Sequence, residues 1–190
     1  MRLDHIAYRV ADRYKTAKFF VECFGYRFAE DLPDGFEIEF EDHSKAKCLV
    51  MVPPEKIETQ LPIPWASLLV VGDGDEKINQ EYHVAPEIFI SDGTEGSIVK
   101  DWVLARNGVG GIHHLAYQVA SVEEVIEEWT AKGFAEFTTD EPLKCDGLTQ
   151  IFTKPSELTG VIYEFIKRDK QGFCQENVKD LMNSTKGLSQ

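Results

Sequence analysis

The 190-residue chain is poor in several things, and each shortage removes a class of function. It has four cysteines, Cys23, Cys48, Cys145 and Cys174, with no CxxC pair among them. That spacing excludes a zinc ribbon or a thioredoxin-like redox motif, and the default expectation is free thiols in a reducing cytoplasm. Basic residues are scarce, 20 Lys and Arg against 33 Asp and Glu, for a net charge of −13. Nucleic acid and anionic membrane surfaces are therefore poor partners, since phosphate contacts need clustered cations. No apolar run reaches membrane-spanning length, and Met1-Arg2-Leu3-Asp4 leads straight into a strand pattern with no sign of a signal peptide. What remains is the composition of an ordinary globular protein, 43% hydrophobic and 28% charged, long enough for one compact domain or two small ones.

What the chain does have is an internal repeat. Leu3-Asp4-His5-Ile6-Ala7-Tyr8-Arg9-Val10 returns as Ile112-His113-His114-Leu115-Ala116-Tyr117-Gln118-Val119, with His5 on His114, Ala7 on Ala116, Tyr8 on Tyr117 and Val10 on Val119. Both copies alternate as half-buried strands that put His, Ala and Arg or Gln on one face. A helix pattern follows each. Asp12 caps the first, which runs to Gly25, and the capping box Ser121-Val122-Glu123-Glu124 opens the second, which ends at Lys132-Gly133. Strand patterns then read Tyr26–Glu30, Phe36–Phe40, Lys47–Val52 and Pro86–Ile90 in the first half. In the second half they read Ala135–Thr138, Gly147–Thr153 and Val161–Lys167. The stretch from 53 to about 84, broken by prolines and Gly72-Asp73-Gly74-Asp75, reads as a long insertion in which Ala66–Val71 has strand character. Val178, Leu181 and Met182 mark a C-terminal helix.

The order strand, helix, three strands occurs twice. The expected fold is α+β, paired βαβββ modules whose mixed sheet cups a metal site. The expected division is 1–106, 107–168 and a C-terminal helix and tail over 169–190. Duplicated histidines on inward faces are candidate metal ligands. A single strand histidine is usually structural, but here the same His comes twice with the same flanks. Each half also ends in a carboxylate among apolar neighbours, Glu164 in Tyr163-Glu164-Phe165-Ile166 and Glu87 in Pro86-Glu87-Ile88-Phe89-Ile90. Such a group is costly to bury unless paired or coordinated. His5, His114 and Glu164 alone would form the three-ligand set that leaves open positions on non-heme Fe(II). Glu87 as a fourth ligand would make the more saturated set of a divalent-metal isomerase, lyase or hydrolase. By alternation His113 points away from His114 and is placed outside the ligand set, while Glu37, Glu39 and Glu41 read as a solvated face.

These modules resemble the vicinal-oxygen-chelate superfamily, the glyoxalase and methylmalonyl-CoA epimerase relatives with the glyoxalase/dihydroxybiphenyl dioxygenase-like fold. The second half resembles something narrower, the catalytic domain of 4-hydroxyphenylpyruvate dioxygenases. The segments that carry this are Gly147-Leu148-Thr149-Gln150-Ile151-Phe152-Thr153-Lys154-Pro155, Tyr163-Glu164-Phe165-Ile166-Lys167-Arg168 and Gly172-Phe173-Cys174-Gln175-Glu176-Asn177-Val178-Lys179-Asp180-Leu181. The resemblance implies an Fe(II) triad of His5, His114 and Glu164 acting on an α-keto acid, with Gln150 lining the substrate pocket and Phe173 stacking on the substrate. The chain departs from that family in being about half as long, in carrying His113 where glutamine is usual, and in reading Phe89-Ile90-Ser91-Asp92-Gly93 for Pro-Ile-Asn-Glu-Pro. The epimerase or lyase alternative implies Co, Zn, Mg or Mn and a CoA thioester or similar substrate. A non-catalytic small-molecule binding protein of the same fold is the third expectation. Modules of this sort pair across subunits, so a homodimer is expected.

Overall fold

The structure is a computed structural model that describes residues 1–53, 68–69, 79–80, 85–169 and 172–188. Its strands are β1 Arg2–Val10, β2 Arg27–Phe28, β3 Phe36–Glu39, β4 Lys45–Val52, β5 Leu68–Leu69, β6 Asn79–Gln80, β7 Glu87–Gly93, β8 Gly110–Gln118, β9 Leu143–Cys145, β10 Leu148–Phe152 and β11 Ile162–Arg168. Its helices are α1 Arg13–Phe24, α2 Ile98–Leu104, α3 Val122–Lys132 and α4 Gln175–Ser184. β5 and β6 pair with each other; the other nine strands form one sheet in the order β2-β4-β7-β1-β8-β11-β10-β9, with β3 also on β4. The expected α+β class holds. Most of the proposed strand at Ala66–Val71 lies outside the described residues.

The two repeats meet at the centre of the sheet, where β1 and β8 run antiparallel with Ile6 opposite Leu115. From that pair the sheet reads the same way outwards. β1 lies parallel to β7, which is antiparallel to β4; β8 lies parallel to β11, which is antiparallel to β10. Duplication thus becomes an approximate two-fold, and His5 and His114 face each other across it.

The helices begin and end where local chemistry dictates. Asp12 and Ser121 accept hydrogen bonds from Lys15 N and Glu124 N, and Gly25 and Gly133 take the left-handed conformation that ends each helix. α1 packs Ala17 and Phe20 on one sheet face against Leu49, Met51, Ile88 and Ile90. α3 covers the same face of the second half, with Trp129 against Phe165. The opposite face carries Ala7, Val50, Phe89, Val99, Val178 and Met182, so that α2 and α4 lie over it.

Two readings need correction. Ala135–Thr138 is not a strand; it contributes one isolated bridge, Phe137 to Thr153, and the edge strand is β9 instead. The four cysteines are not all free. Cys145 on β9 and Cys174, the residue capping α4, form a disulfide across a Cα separation of 6.4 Å. It ties the start of α4 to the edge of the sheet. Cys23 and Cys48 are free. No helix among the described residues is long and apolar enough to cross a membrane.

Candidate metal centre

His5 on β1, His114 on β8 and Glu164 on β11 meet on the face covered by α4, all buried. His5 Nε2 lies 3.2 Å and His114 Nε2 3.0 Å from Glu164 Oε2, and the two Nε2 atoms are 3.3 Å apart. Donors sharing an ion at about 2.1 Å stand about 3.0 Å apart in an octahedral site and about 3.4 Å apart in a tetrahedral one. The observed triangle falls between these limits, so the three residues fit a divalent metal.

What aims the rings is a pair of bulges. On β1, Leu3 pairs with Tyr117 and His5 with Ala116, leaving Asp4 as an extra residue; on β8, Ala7 pairs with His114 and Tyr8 with Ile112, leaving His113 extra. A bulge breaks the two-residue alternation, so the extra residue turns to the same face as its neighbour. Asp4 Oδ1 therefore accepts from His5 Nδ1 at 2.8 Å, and His113 and His114 join Nδ1 to Nδ1 at 2.8 Å. Each ring is held by Nδ1, which directs Nε2 towards the shared centre. His113 thus faces inward, contrary to strict alternation, and supports His114.

The carboxylate is held as firmly. Gln150 on β10 donates to Glu164 Oε1 at 2.6 Å and accepts from Asn177 on α4 at 3.3 Å. This leaves Oε2 to the histidines and links the covering helix to Glu164. Phe173 stacks edge-on against His5 at 5.1 Å, and Phe152 lies 4.6 Å from His114. The triad, Gln150, Phe89, Phe152, Phe173 and the inner side of α4 line one cavity of about 410 Å³, counting its mouth.

Electrostatics follows from burial and pairing. Burial pulls His5 down, but Glu164 and Asp4 outweigh it and raise the imidazole to about 9. Burial pushes Glu164 up, yet His5 and His114 hold it far below the usual carboxylate range. Burial lowers His114 despite Glu164, and burial with Arg9 nearby lowers His113 well below its ordinary value. Without metal, the site is an anionic carboxylate beside a protonated His5.

Glu87 is not brought to this group. Its Oε2 accepts from Arg168 Nη2 at 2.8 Å, and the same guanidinium spans both oxygens of Asp4 at 2.9 and 3.1 Å. The register explains the difference. Glu164 lies opposite Ala116, two residues past His114, whereas Glu87 lies opposite His5 itself. The repeat places Phe89, opposite Ala7, where Glu164 stands in the other half. Asp4, Arg168 and Asn177 escape a reading of the sequence, since spacing offers no signal beyond Asp4 preceding His5. Glu37 pairs with Lys45 and Lys47, and Glu39 with Lys45, on an exposed edge, as a solvated face should.

A profile of the Glyoxalase/Bleomycin resistance protein/Dioxygenase superfamily matches residues 4–148. The chain belongs to this superfamily. Among solved structures it is similar to a methylmalonyl-CoA epimerase, with 21% identity and a TM-score of 0.59 over 90% of this chain and 97% of that one. It is also similar to a triple mutant of 4-hydroxymandelate synthase from Streptomyces coelicolor, with 16% identity and a TM-score of 0.69 over 97% of this chain and 53% of the synthase. The methylmalonyl-CoA epimerase of Mycobacterium tuberculosis aligns at 15% identity and a TM-score of 0.57, over 89% of each chain. At these identities the likeness is one of fold. No curated protein sequence matches the chain significantly.

Proposed function

We propose that the chain is a non-heme Fe(II) dioxygenase of the 4-hydroxyphenylpyruvate dioxygenase type, acting on a 2-oxo acid. The observation that carries this reading is Phe89, an apolar ring at the register position where a fourth ligand would stand. Three protein donors leave open positions on a metal; a fourth would fill one of them. Fe(II) held by His5, His114 and Glu164 would supply oxygen activation and a chelating point for the 2-oxo acid.

The chain's own residues do the rest. Asp4 and His113 fix the imidazoles, and Gln150 fixes the carboxylate. Phe89, Phe152 and Phe173 offer apolar walls to the substrate, and α4 with Val178, Leu181 and Met182 keeps water from the reacting atoms. An acid–base isomerase needs a base beside the metal. Glu164, already bound to both histidines, is the single carboxylate on the cavity wall among the described residues.

The test is metal analysis of anaerobically purified protein, followed by O2 uptake with a panel of 2-oxo acids, arylpyruvates first. Bound iron and uptake that requires both metal and keto acid are expected. Firmly bound Co, Zn or Mg with no uptake, and turnover of a CoA thioester or another isomerase substrate, would overturn this reading. Ligand binding without turnover of any kind would make the chain a binding protein of the same fold.

A further inference from the structure

Arg9 is a buried charge that the metal centre does not use. On β1 it follows His5 and Ala7 along the inward face, and it is 3% exposed. At about 3.3 Å per residue its Cα lies about 13 Å from that of His5. Its Nη2 donates to Thr185 Oγ1 at 3.1 Å, and that hydroxyl donates in turn to the Met182 carbonyl at 2.8 Å. Its Nη1 is buried with no hydrogen-bond partner among the described residues.

No carboxylate pairs with Arg9 among the described residues. Around it are the Trp102 ring, 5.9 Å from the guanidinium carbon, and a second cation, Arg106. The contrast with two other partly buried guanidinium groups is sharp. Arg168 is paired with Asp4 and Glu87, and Arg13 with Asp92. A buried cation without a counter-charge is costly, and a fold tolerates it where a ligand supplies the missing anion. Arg9 lines the same cavity as the triad, with Phe89, Phe152, Leu181 and Met182 also on its wall.

We infer that Arg9 receives a carboxylate at the end of the substrate remote from the metal, so that the substrate is a 2-oxo acid whose apolar spacer ends in a second carboxylate. Thr185 holds the guanidinium by Nη2, which leaves Nη1 to receive the incoming group. The 2-oxo half of this statement rests on the metal reading above; the remote carboxylate rests on Arg9 alone.

Two titrations separate the halves. Under anaerobic conditions, metal-loaded protein is titrated with 2-oxo diacids having two to five methylenes in the spacer, each against the monoacid of equal length. At the best length the diacid should bind at least tenfold more tightly, and Arg9→Met should reduce that preference to less than twofold while leaving the monoacid within about threefold of wild type. Metal-free protein is then titrated with hexanoate, which should bind wild type and not Arg9→Met. Equal affinities for diacid and monoacid at every length, or hexanoate binding that survives Arg9→Met, would overturn the assignment of Arg9 while leaving the metal reading intact. Arg9-dependent hexanoate binding with no effect of metal on any 2-oxo acid would support the anion site and sink the metal reading. Thermal melts check the fold. Arg9→Met should melt at or above wild type, because it removes an uncompensated charge. A fall matching that of Thr185→Val, with the diacid preference intact, would assign Arg9 to holding α4 and overturn the proposal.

Discussion

Asp4→Asn isolates what holds His5 in place. The carboxylate is buried, accepts from His5 Nδ1 at 2.8 Å and is spanned by Arg168 at 2.9 and 3.1 Å. Asparagine keeps the shape but brings one carbonyl acceptor and an amide donor to a site where all partners are donors. His5 then loses the charge-assisted bond that orients its ring, a change expected to weaken divalent metal binding by about 10- to 100-fold. That corresponds to about 1.4–2.7 kcal/mol. Breaking one side of a buried ion pair typically costs about 3–5 kcal/mol, but Arg168 keeps Glu87, so a loss of about 2 kcal/mol is expected. For a chain of this size that is a fall in Tm of about 4–8 °C. The control is Glu87→Gln, which removes the other partner of Arg168 without touching His5. It should lower Tm by a comparable amount and leave metal affinity within twofold. The assay is a chelator-buffered Co(II) titration beside thermal melts of the metal-free proteins. Unchanged affinity in Asp4→Asn, or equal loss in both variants, would refute the claim that Asp4 acts by orienting His5.

Other outcomes follow from the same geometry. Phe89→Glu places a carboxylate at the register position equivalent to Glu164 and should tighten Co(II) binding at least tenfold while abolishing the proposed keto-acid-dependent O2 uptake; unchanged affinity would show that the register argument misplaces that side chain. His5 is raised from 6.5 to about 9, so its contribution to the metal-free fold is fully present below pH 6.5 and lost as pH rises through 9. The difference in Tm between wild type and His5→Gln, followed from pH 6.5 to 9.5, should therefore shrink with rising pH, and a constant difference would contradict it. Reduction of Cys145–Cys174, or its replacement by serines, opens a 29-residue loop and should cost about 3–4 kcal/mol in thermal or urea melts. Identical melts with and without reductant would remove the disulfide from the account of how α4 is held.

Much of the site is legible one strand at a time. The repeated His-x-Ala-Tyr-x-Val pattern, read with a two-residue period, places His5 and His114 on equivalent inward faces and needs no knowledge of pairing. The caps at Asp12 and Ser121 and the stops at Gly25 and Gly133 are equally local, because each satisfies backbone groups within five residues of itself. Glu164 stood out as a carboxylate that its apolar neighbours could not bury alone.

Tertiary structure decided whatever depends on pairing between segments distant in the chain. The bulges at Asp4 and His113 exist only in the β1–β8 register, which is why alternation sent His113 to the wrong face. Glu87 and Phe89 differ by two residues on one strand and face the same way, so only the partner strand reveals which matches Glu164. The Cys145–Cys174 bond and the Asn177–Gln150–Glu164 chain likewise wait on where α4 docks. Arg9 shows the division most plainly. Its inward face was legible from alternation, but the lack of a counter-charge among the described residues is a property of everything packed around it, and no single stretch of sequence contains that.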